Sequence, residues 1–196
     1  MDAPHLLTSN PGALPDFPLE PDFPLGQEFL ARGIADYQDT TRHVMLLPYG
    51  RNTDRSDYLF VLKEGRGTCS TKHALLSALA KEHNQPVGLC LGIYEMDGDN
   101  TPGIGPVLKR HDLDSIPEAH CYLMYRGVRV DLTGAGEAWQ PIRAFLYEEK
   151  IEPHEIGAYK VDLHMEFVRQ WAHARRLDPE AVWQAREECI GALSDG

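Results

Sequence analysis

The pattern of apolar and polar positions begins with a leader that prolines interrupt. Residues 1 to 26 hold six of the fourteen prolines, a spacing that excludes helix there. The leader also repeats a short motif, Pro15-Asp16-Phe17-Pro18-Leu19 and then Pro21-Asp22-Phe23-Pro24-Leu25. We expect an extended arm whose Phe and Leu side chains lie along the core, or a disordered leader, in preference to a docking motif for another protein.

The region after the leader alternates helical and β-type patterns. Gln27 to Leu47 has an apolar helical face that stops before a Pro-Tyr-Gly sequence, and Tyr58 to Leu62 is a short β-rich run. Val87 to Tyr94 is a continuous apolar run with the length of a buried strand. The Gly- and Pro-rich stretch from Glu95 to Pro106 predicts an irregular loop, and such loops between core strands often shape a substrate cleft.

The C-terminal third has the spacing of helices. Asp162 to Leu177 places apolar side chains at helical intervals, and Asp178-Pro179-Glu180 is an N-cap signal for a last helix that runs through Leu193. We interpret the aromatic residues Phe167 and Trp171 as packing positions, because an aromatic stripe on a helix usually faces a core.

Length and charge narrow the classes of protein that remain. The 196 residues, 42% of them apolar, suit one core, so we predict a Pro-rich arm over residues 1 to 26 and a single α+β domain over residues 27 to 196, with C-terminal helices appended. The net charge is −11, and no basic cluster exceeds Arg175-Arg176, which argues against nucleic acid and anionic membranes as partners. Since no apolar run approaches ~18 residues and the start of the chain lacks an export signal, we predict a cytoplasmic protein without a membrane span.

The four cysteines form no C-x-x-C pair, so we predict four reduced thiols. Cys90 lies in the apolar strand and Cys189 in the last helix, where both are predicted to be inert core residues. Cys69 differs, because it follows the glycine-rich turn Gly65-Arg66-Gly67-Thr68 and precedes a helical apolar pattern from Ala74 to Ala80. A helix N-terminus lowers the pKa of a thiol, so this position predicts a reactive cysteine.

The stretch from His120 to Thr133 has two β-rich runs on either side of Arg126-Gly127, which predicts an antiparallel hairpin. With a two- or four-residue loop, Tyr122 lies opposite Asp131. His120 and Asp131 are then diagonal neighbours on one face, within reach across roughly 7 Å. A three-residue loop with a bulge would instead place them on opposite faces. In the even register, Cys121 points away from His120.

Together these residues offer a nucleophile, a base and an orienting carboxylate: Cys69, His120 and Asp131. A Cys at the head of a helix, a His that opens a strand and an Asp near the end of the next strand resemble the transglutaminase-like superfamily of thiol enzymes, over Gly65 to Thr133. The resemblance implies a papain-like core, with the Cys-bearing helix packed against a small antiparallel sheet. Family sequences usually follow the histidine with a small residue and an aromatic, where this chain has Cys121 and Tyr122.

The predicted activity is therefore acyl transfer, or hydrolysis of a peptide or small amide, by a thiol enzyme that needs no cofactor. The backbone N–H of Cys69 is the candidate donor to an oxyanion, and Asn52 and Tyr58 are polar side chains upstream that we do not assign to this role. The alternative is a non-catalytic binding module on the same fold, with Trp139 either walling its groove or packing in the core.

Metal sites are the chemical alternatives to a thiol enzyme. Cys69 and His73 share one helical face, and a zinc site would take the four ligands Cys69, His73, His120 and Asp131. The chain lacks the Cys pairs of most structural zinc sites, so His73 is predicted to pack against the cleft or face away from it. Calcium is disfavoured, because a loop that starts at Asp97 has Pro102 where glycine is needed and Leu108 where glutamate is needed. Four further histidines are predicted on the surface: His43, His83, His111 and His154.

Overall fold

The computed structural model of the chain describes residues 7 to 134 and 142 to 194. Within these ranges the helices are α1 (Pro24–Leu30), α2 (Tyr37–Leu46), α3 (Phe60–Glu64), α4 (Cys69–Glu82), α5 (Gly105–Arg110), α6 (Ala158–Arg175) and α7 (Pro179–Ser194). The strands are β1 (Gly88–Asp97), β2 (Ser115–Tyr125), β3 (Val128–Val130) and β4 (Tyr147–Ile151), and two short 3-10 helices cover Pro11–Ala13 and Pro153–Ile156. This mixture of helices with a small antiparallel sheet confirms the α+β class.

The sheet has the order β3-β2-β1-β4, and each neighbouring pair is antiparallel. Its centre is the long pair β1 and β2, in which Gly92 lies opposite His120. The N-terminal arm adds to the β3 edge through Thr8, whose N–H donates to Arg129 O at 3.0 Å and whose carbonyl accepts from the Asp131 N–H at 2.9 Å. The arm therefore covers backbone groups directly beside Asp131.

The turn between β2 and β3 settles the register of the hairpin. Arg126 and Gly127 have φ of 48° and 80°, so both central residues are left-handed, as a two-residue type I′ turn requires. Tyr125 pairs with Val128, and Leu123 with Val130. The predicted even register is confirmed, and the bulged three-residue loop is wrong.

The two faces of the sheet pack against different helices. One face shares a core with α4, through sheet residues such as Leu91 and Leu123 and helix residues such as Leu75 and Leu79. The other face packs on α6 and α7, where Tyr94 and Met96 belong to a second apolar cluster with helix residues. Because α1, α2 and α3 contact the far side of α4, every residue of that helix from Cys69 to Ala80 is buried.

The described part of the arm lies along the core, as expected. Leu14, Leu19 and Leu25 are buried in the main cluster, and the Phe17 ring stacks on Tyr37 with the ring centroids 4.6 Å apart. The exclusion of helix from residues 1 to 26 is wrong at two places, since a 3-10 helix covers Pro11–Ala13 and α1 begins at Pro24. Proline suits the first helical position, because that residue's N–H has no partner within the helix.

Other local predictions are also corrected. The single helix over Gln27 to Leu47 is two helices, because Gly33 adopts a left-handed φ of 78° after α1 and the Asp36 carboxylate caps α2 by accepting from the Asp39 N–H at 2.7 Å. The run from Tyr58 to Leu62 is not a strand but enters α3, with its buried Val61 packed in the core.

The predicted loop over Glu95 to Pro106 contains the end of β1 and the start of α5, so it is shorter than expected. Strand β4 has no counterpart in the predictions. The two C-terminal helices are confirmed, and Asp178 accepts from the Glu180 N–H at 3.1 Å as the predicted cap. None of the described helices has the length and apolar character that would span a bilayer.

Candidate active site

Cys69 is the first residue of α4, and the turn before it is tightly fixed. Thr68 and Thr71 form a capping box, in which each side chain accepts from the backbone N–H of the other residue. The Thr71 hydroxyl also donates to the Asn52 side-chain oxygen at 2.9 Å. Gly67 must be glycine here, because a Cβ would lie 2.9 Å from the Thr71 hydroxyl oxygen. The helix start therefore holds Cys69 in one position, where it lines a cleft.

His120 and Asp131 meet as the hairpin register predicts. The His120 Nε2–H donates to Asp131 Oδ2 at 2.9 Å, across eleven residues of sequence. The other carboxylate oxygen, Oδ1, accepts from the Thr133 N–H at 3.0 Å and from the Thr133 hydroxyl at 2.5 Å. With Nε2 held by the carboxylate, Nδ1 is the ring nitrogen left for Cys69, and Cys69 and His120 line one small cavity.

The charges of these three side chains support one another. Burial alone would raise the pKa of the Cys69 thiol, but the positive charge of His120 outweighs burial and lowers that pKa to about 7. Burial likewise disfavours the imidazolium, yet Asp131 and the Cys69 thiolate raise the pKa of His120 to about 10. The site therefore favours a thiolate–imidazolium pair near neutral pH.

His73 lies beneath Cys69, His120 and Asp131, and its ring links two backbone segments. Its Nε2 accepts from the Leu132 N–H at 2.7 Å, so its Nδ1 carries the proton and donates to the Cys69 carbonyl at 2.8 Å. Burial lowers the pKa of His73 to about 4, which keeps the ring neutral. Because both ring nitrogens are occupied by backbone groups, His73 has no lone pair for zinc. Over the described ranges, no three His, Cys, Asp or Glu side chains gather in a way that would hold a metal ion.

Lys72 is a buried cation that the sequence reasoning missed. Its Nζ donates to the carbonyls of Leu47 at 2.6 Å, Thr133 at 2.8 Å and Met45 at 3.4 Å. Burial lowers the pKa of this amine to about 8. The three bonds join the end of α2 to the segment that follows Asp131, so Lys72 helps to hold the carboxylate in place. A lysine inside an otherwise apolar helical pattern was the available signal.

The thiol lies on the wall of a cleft of about 600 Å³, a size within the range of roughly 300–1,000 Å³ that is usual for small-molecule sites. We call it the Cys69 cleft; it lies between the starts of α4 and α6, the loop at residues 51 to 56, and α7. On its wall Arg186 forms two parallel bonds of 2.7 Å to the Glu118 carboxylate. Glu118 precedes His120 by two residues and so shares its face of β2, a signal that the sequence contained.

The other three cysteines are less suited to reaction. Cys121 faces the core on the opposite side of β2 from His120, as predicted, and burial raises the pKa of its thiol to about 12. Burial also raises the pKa of Cys90, and it raises that of Cys189 to about 11. All four thiols are buried, so burial by itself does not distinguish Cys69 from the others. Of the four thiols, Cys69 is the one with a lowered pKa.

The remaining predicted residues fall in several places. Asn52 donates both amide hydrogens, to Glu64 at 3.2 Å and to the Arg66 carbonyl at 3.0 Å, so it has none left for an oxyanion. Tyr58 lies with Lys81 and Glu82 near the far end of α4. Trp139 lies outside the described residues.

The surface prediction fails for one of the four histidines. His83 is buried, and its Nε2 accepts from the Glu20 N–H at 3.0 Å, so it ties the arm to α4. His43 and His111 are half-buried, and His154 is exposed as expected.

Comparison with protein-family models, curated proteins and solved structures finds no match for this chain. The chemistry of the site is therefore the basis for assigning a function.

Proposed function

We propose that this protein is a thiol enzyme that transfers or hydrolyses the acyl group of a peptide or small amide. The observation that carries the proposal is the placement of one imidazole between a fixed carboxylate and a thiol. Asp131 holds Nε2 of His120 at 2.9 Å, which leaves the other ring nitrogen for Cys69, and the two residues line one small cavity. The lowered pKa of Cys69 and the raised pKa of His120 give both groups the charge state that attack requires.

In the proposed reaction the Cys69 thiolate attacks the amide carbonyl carbon, and the carbonyl oxygen becomes an oxyanion. His120 then gives its proton to the leaving nitrogen as the C–N bond breaks, which leaves a thioester on Cys69. Water or an amine attacks the thioester, His120 accepts its proton, and the thiolate is restored. These steps balance without a metal or other cofactor.

The backbone N–H of Cys69 is the proposed donor to the oxyanion. It belongs to the first turn of α4, where N–H groups have no carbonyl partner within the helix. The partial positive charge of a helix start favours negative charge at the same point. Donors fixed in this way stabilise an oxyanion without reorganising during the reaction.

The resemblance to the transglutaminase-like superfamily supports the same assignment. In that superfamily a papain-like core packs the Cys-bearing helix on an antiparallel sheet, and here α4 packs on one face of the β3-β2-β1-β4 sheet. We therefore propose a papain-like core and a place in this superfamily for the chain. The reaction itself needs a direct test, because one fold hosts many activities.

The test is to trap the acyl-enzyme. The wild-type protein is mixed with 4-nitrophenyl acetate, quenched at short times and mapped by mass spectrometry. We expect one acetyl group on Cys69 that is then lost by hydrolysis, and no stable or transient adduct in Cys69→Ala. Cys90→Ala is the matched control and should acylate like the wild type.

Two outcomes would contradict the proposal. Acetylation of Cys90, Cys121 or Cys189 in preference to Cys69 would remove Cys69 as the nucleophile. An adduct on Cys69 that never turns over, with water or with added amines, would favour the non-catalytic binding module.

A further inference from the structure

The Cys69 cleft carries positive charge in a chain whose net charge is −11. Its charged walls hold four cations, Arg51, Arg55, Lys160 and Arg186, and three carboxylates, Asp54, Glu118 and Glu187. Apart from the Cys69 thiolate, whose charge the His120 imidazolium balances, the described lining has an excess of one positive charge. Since most of the chain's surface repels anions, a local excess of cations beside a nucleophile points to the charge of the substrate.

Most of these charges neutralise one another. Arg186 binds Glu118 through two bonds of 2.7 Å and also contacts Glu187 at 2.5 Å, and Arg51 contacts Glu187 at 3.0 Å. Each cation of this ion-pair network has at least one carboxylate partner, which largely neutralises its charge. The network therefore shapes the wall of the cleft and leaves little unpaired charge for a ligand.

Lys160 is different. It lies in the first turn of α6 and faces the cleft, and over the described residues it forms neither an ion pair nor a hydrogen bond. The positive charge of Lys160 acts on two other residues that line the cleft, because it helps to lower the pKa of Cys69 and of Glu118. Arg55 is a second cation without such a partner, and it lies exposed at the mouth of the cleft.

Close backbone packing keeps the loop that carries Arg55 beside the start of α6. Gly157 precedes α6, and a Cβ at that residue would lie 2.6 Å from the Ser56 Cβ. Ser56 is in turn held by Asp54, whose carboxylate accepts from its N–H at 2.8 Å and its hydroxyl at 2.6 Å. The loop that carries Arg55 and the start of α6 that carries Lys160 thus form adjacent parts of one wall of the Cys69 cleft.

The wall also has an apolar part. Val161 and Met165 follow Lys160 on α6 and line the same cleft, and they are 43% and 46% exposed. Apolar side chains with this exposure offer a surface to the aliphatic part of a ligand, while Lys160 offers a charge at one end.

We propose that the substrate carries a carboxylate close to its reacting carbonyl, and that Lys160 binds this carboxylate with Arg55 at the cleft mouth. The inference rests on the proposed function and adds the substrate class, an acidic peptide or a small acidic amide. A single carboxylate matches the excess of one positive charge better than a phosphate, which carries more negative charge. Lys160 is then a specificity residue of the proposed site.

Two alkylating agents of similar shape test this inference. Iodoacetate carries a carboxylate where iodoacetamide carries an amide, and each modifies a thiolate with loss of iodide. We expect the ratio of their rates at Cys69, normalised to free cysteine, to fall about three- to tenfold in Lys160→Gln relative to the wild type. Lys109→Gln is the matched control, because Lys109 is exposed on α5 away from the cleft, and its ratio should not change.

His120 also attracts iodoacetate, so the comparison between the variants, and not the wild-type ratio alone, reports on Lys160. Rising ionic strength should reduce the wild-type preference, because screening weakens the attraction. The same normalised ratio in the wild type, Lys160→Gln and Lys109→Gln would overturn the substrate class. Failure of both reagents to modify Cys69 in the wild type would instead overturn the proposed function.

Protection experiments distinguish the two sources of the carboxylate. Glutarate and its diamide form one pair, and a short glutamyl peptide and its glutaminyl counterpart form the other. Slower modification of Cys69 with glutarate identifies a small acidic amide as the substrate type, and slower modification with the glutamyl peptide alone identifies a peptide. Equal effects of the acids and their amides would overturn the inference.

Discussion

Two negatively charged groups, Asp131 and the Cys69 thiolate, both raise the pKa of His120. Asp131 accepts the His120 Nε2–H at 2.9 Å, and the charge of the Cys69 thiolate also favours the imidazolium. The carboxylate is itself fixed by two bonds from Thr133. Because the imidazolium stabilises the thiolate and Asp131 stabilises the imidazolium, the reactivity of Cys69 depends on a residue that it does not contact.

We predict that Asp131→Asn shifts the pH dependence of Cys69 and depresses turnover. Thiolate forms as pH rises, so in the wild type the iodoacetamide rate should increase through about pH 7, the pKa of Cys69. Without the carboxylate the imidazolium is lost at lower pH, the pKa of Cys69 rises, and the rate at pH 7 should fall about tenfold. Single-turnover acyl transfer should fall by about 10²–10⁴-fold.

Asp162→Asn is the matched control for the loss of one negative charge, since Asp162 is exposed on α6. It should leave the pH midpoint unchanged. An Asp131→Asn protein that keeps the wild-type midpoint and single-turnover rate would show that Asp131 does not act through His120.

At the scale of the element, the turn between β2 and β3 decides which residues of the hairpin share a face. A two-residue turn places His120 and Asp131 on one face, and a slip of one residue would place them on opposite faces. Gly127 has a φ of 80°, which an L-residue with a Cβ adopts at a cost of about 1–2 kcal/mol. The turn residue therefore helps to stabilise the hairpin that brings His120 and Asp131 together.

We predict that Gly127→Ala lowers the free energy of unfolding by about 1 kcal/mol, because alanine is strained in this conformation. Urea denaturation measures the change. Gly191→Ala is the matched control in α7, where a Cβ meets nothing within 4 Å. It should leave stability unchanged or raise it by about 0.5 kcal/mol, since alanine favours helix more than glycine does. Equal losses in both variants would contradict the role of the turn.

At the scale of the molecule, α7 is joined to the sheet through a buried ion pair. Arg186 and Glu118 are 68 residues apart and are both buried, with two bonds of 2.7 Å between them. Burial alone would raise the pKa of Glu118, but the charge of Arg186 outweighs it and lowers the pKa to about 2. A pair of this kind is costly to break, because the remaining charge stays buried without a partner.

We predict that Arg186→Met lowers the free energy of unfolding by about 3–5 kcal/mol at pH 7. The Glu118→Gln/Arg186→Met variant should lose much less, because it leaves no buried charge. Arg42→Met is the control, since it breaks an exposed pair with Asp39 and should cost less than about 0.5 kcal/mol.

The stabilisation that the Glu118–Arg186 pair provides should depend on pH. In the wild type the folded-state pKa of Glu118 lies below its ordinary value of 4.5, so the pair stabilises above that pH and its contribution is lost as pH falls towards about 2. In Arg186→Met the main charge that opposes burial is lost, so the folded-state pKa of Glu118 is raised. Acid should then reduce the difference between variant and wild type. A difference that is constant from pH 7 to pH 4 would contradict the role of Glu118.

The sequence by itself determined the features that depend on neighbours in the chain. The type I′ turn at Arg126-Gly127 and the alternation of side chains along a strand fixed which residues accompany His120. The glycine turn before Cys69 marked a helix start, and Asp178 marked another. These features are local, because turn and cap geometry is set by a few adjacent residues.

Only the tertiary structure decided which distant groups surround the thiol. Lys72 and His73 lie in the same helical pattern as Cys69, yet their burial beneath Asp131 follows from α4 being covered on all sides. Lys160 and Arg186 reach the cleft because α6 and α7 pack across the sheet, which no local pattern specifies. Charge and burial in the site are sums over groups far apart in sequence, so the pKa of Cys69 was decided by packing and not by its neighbours alone.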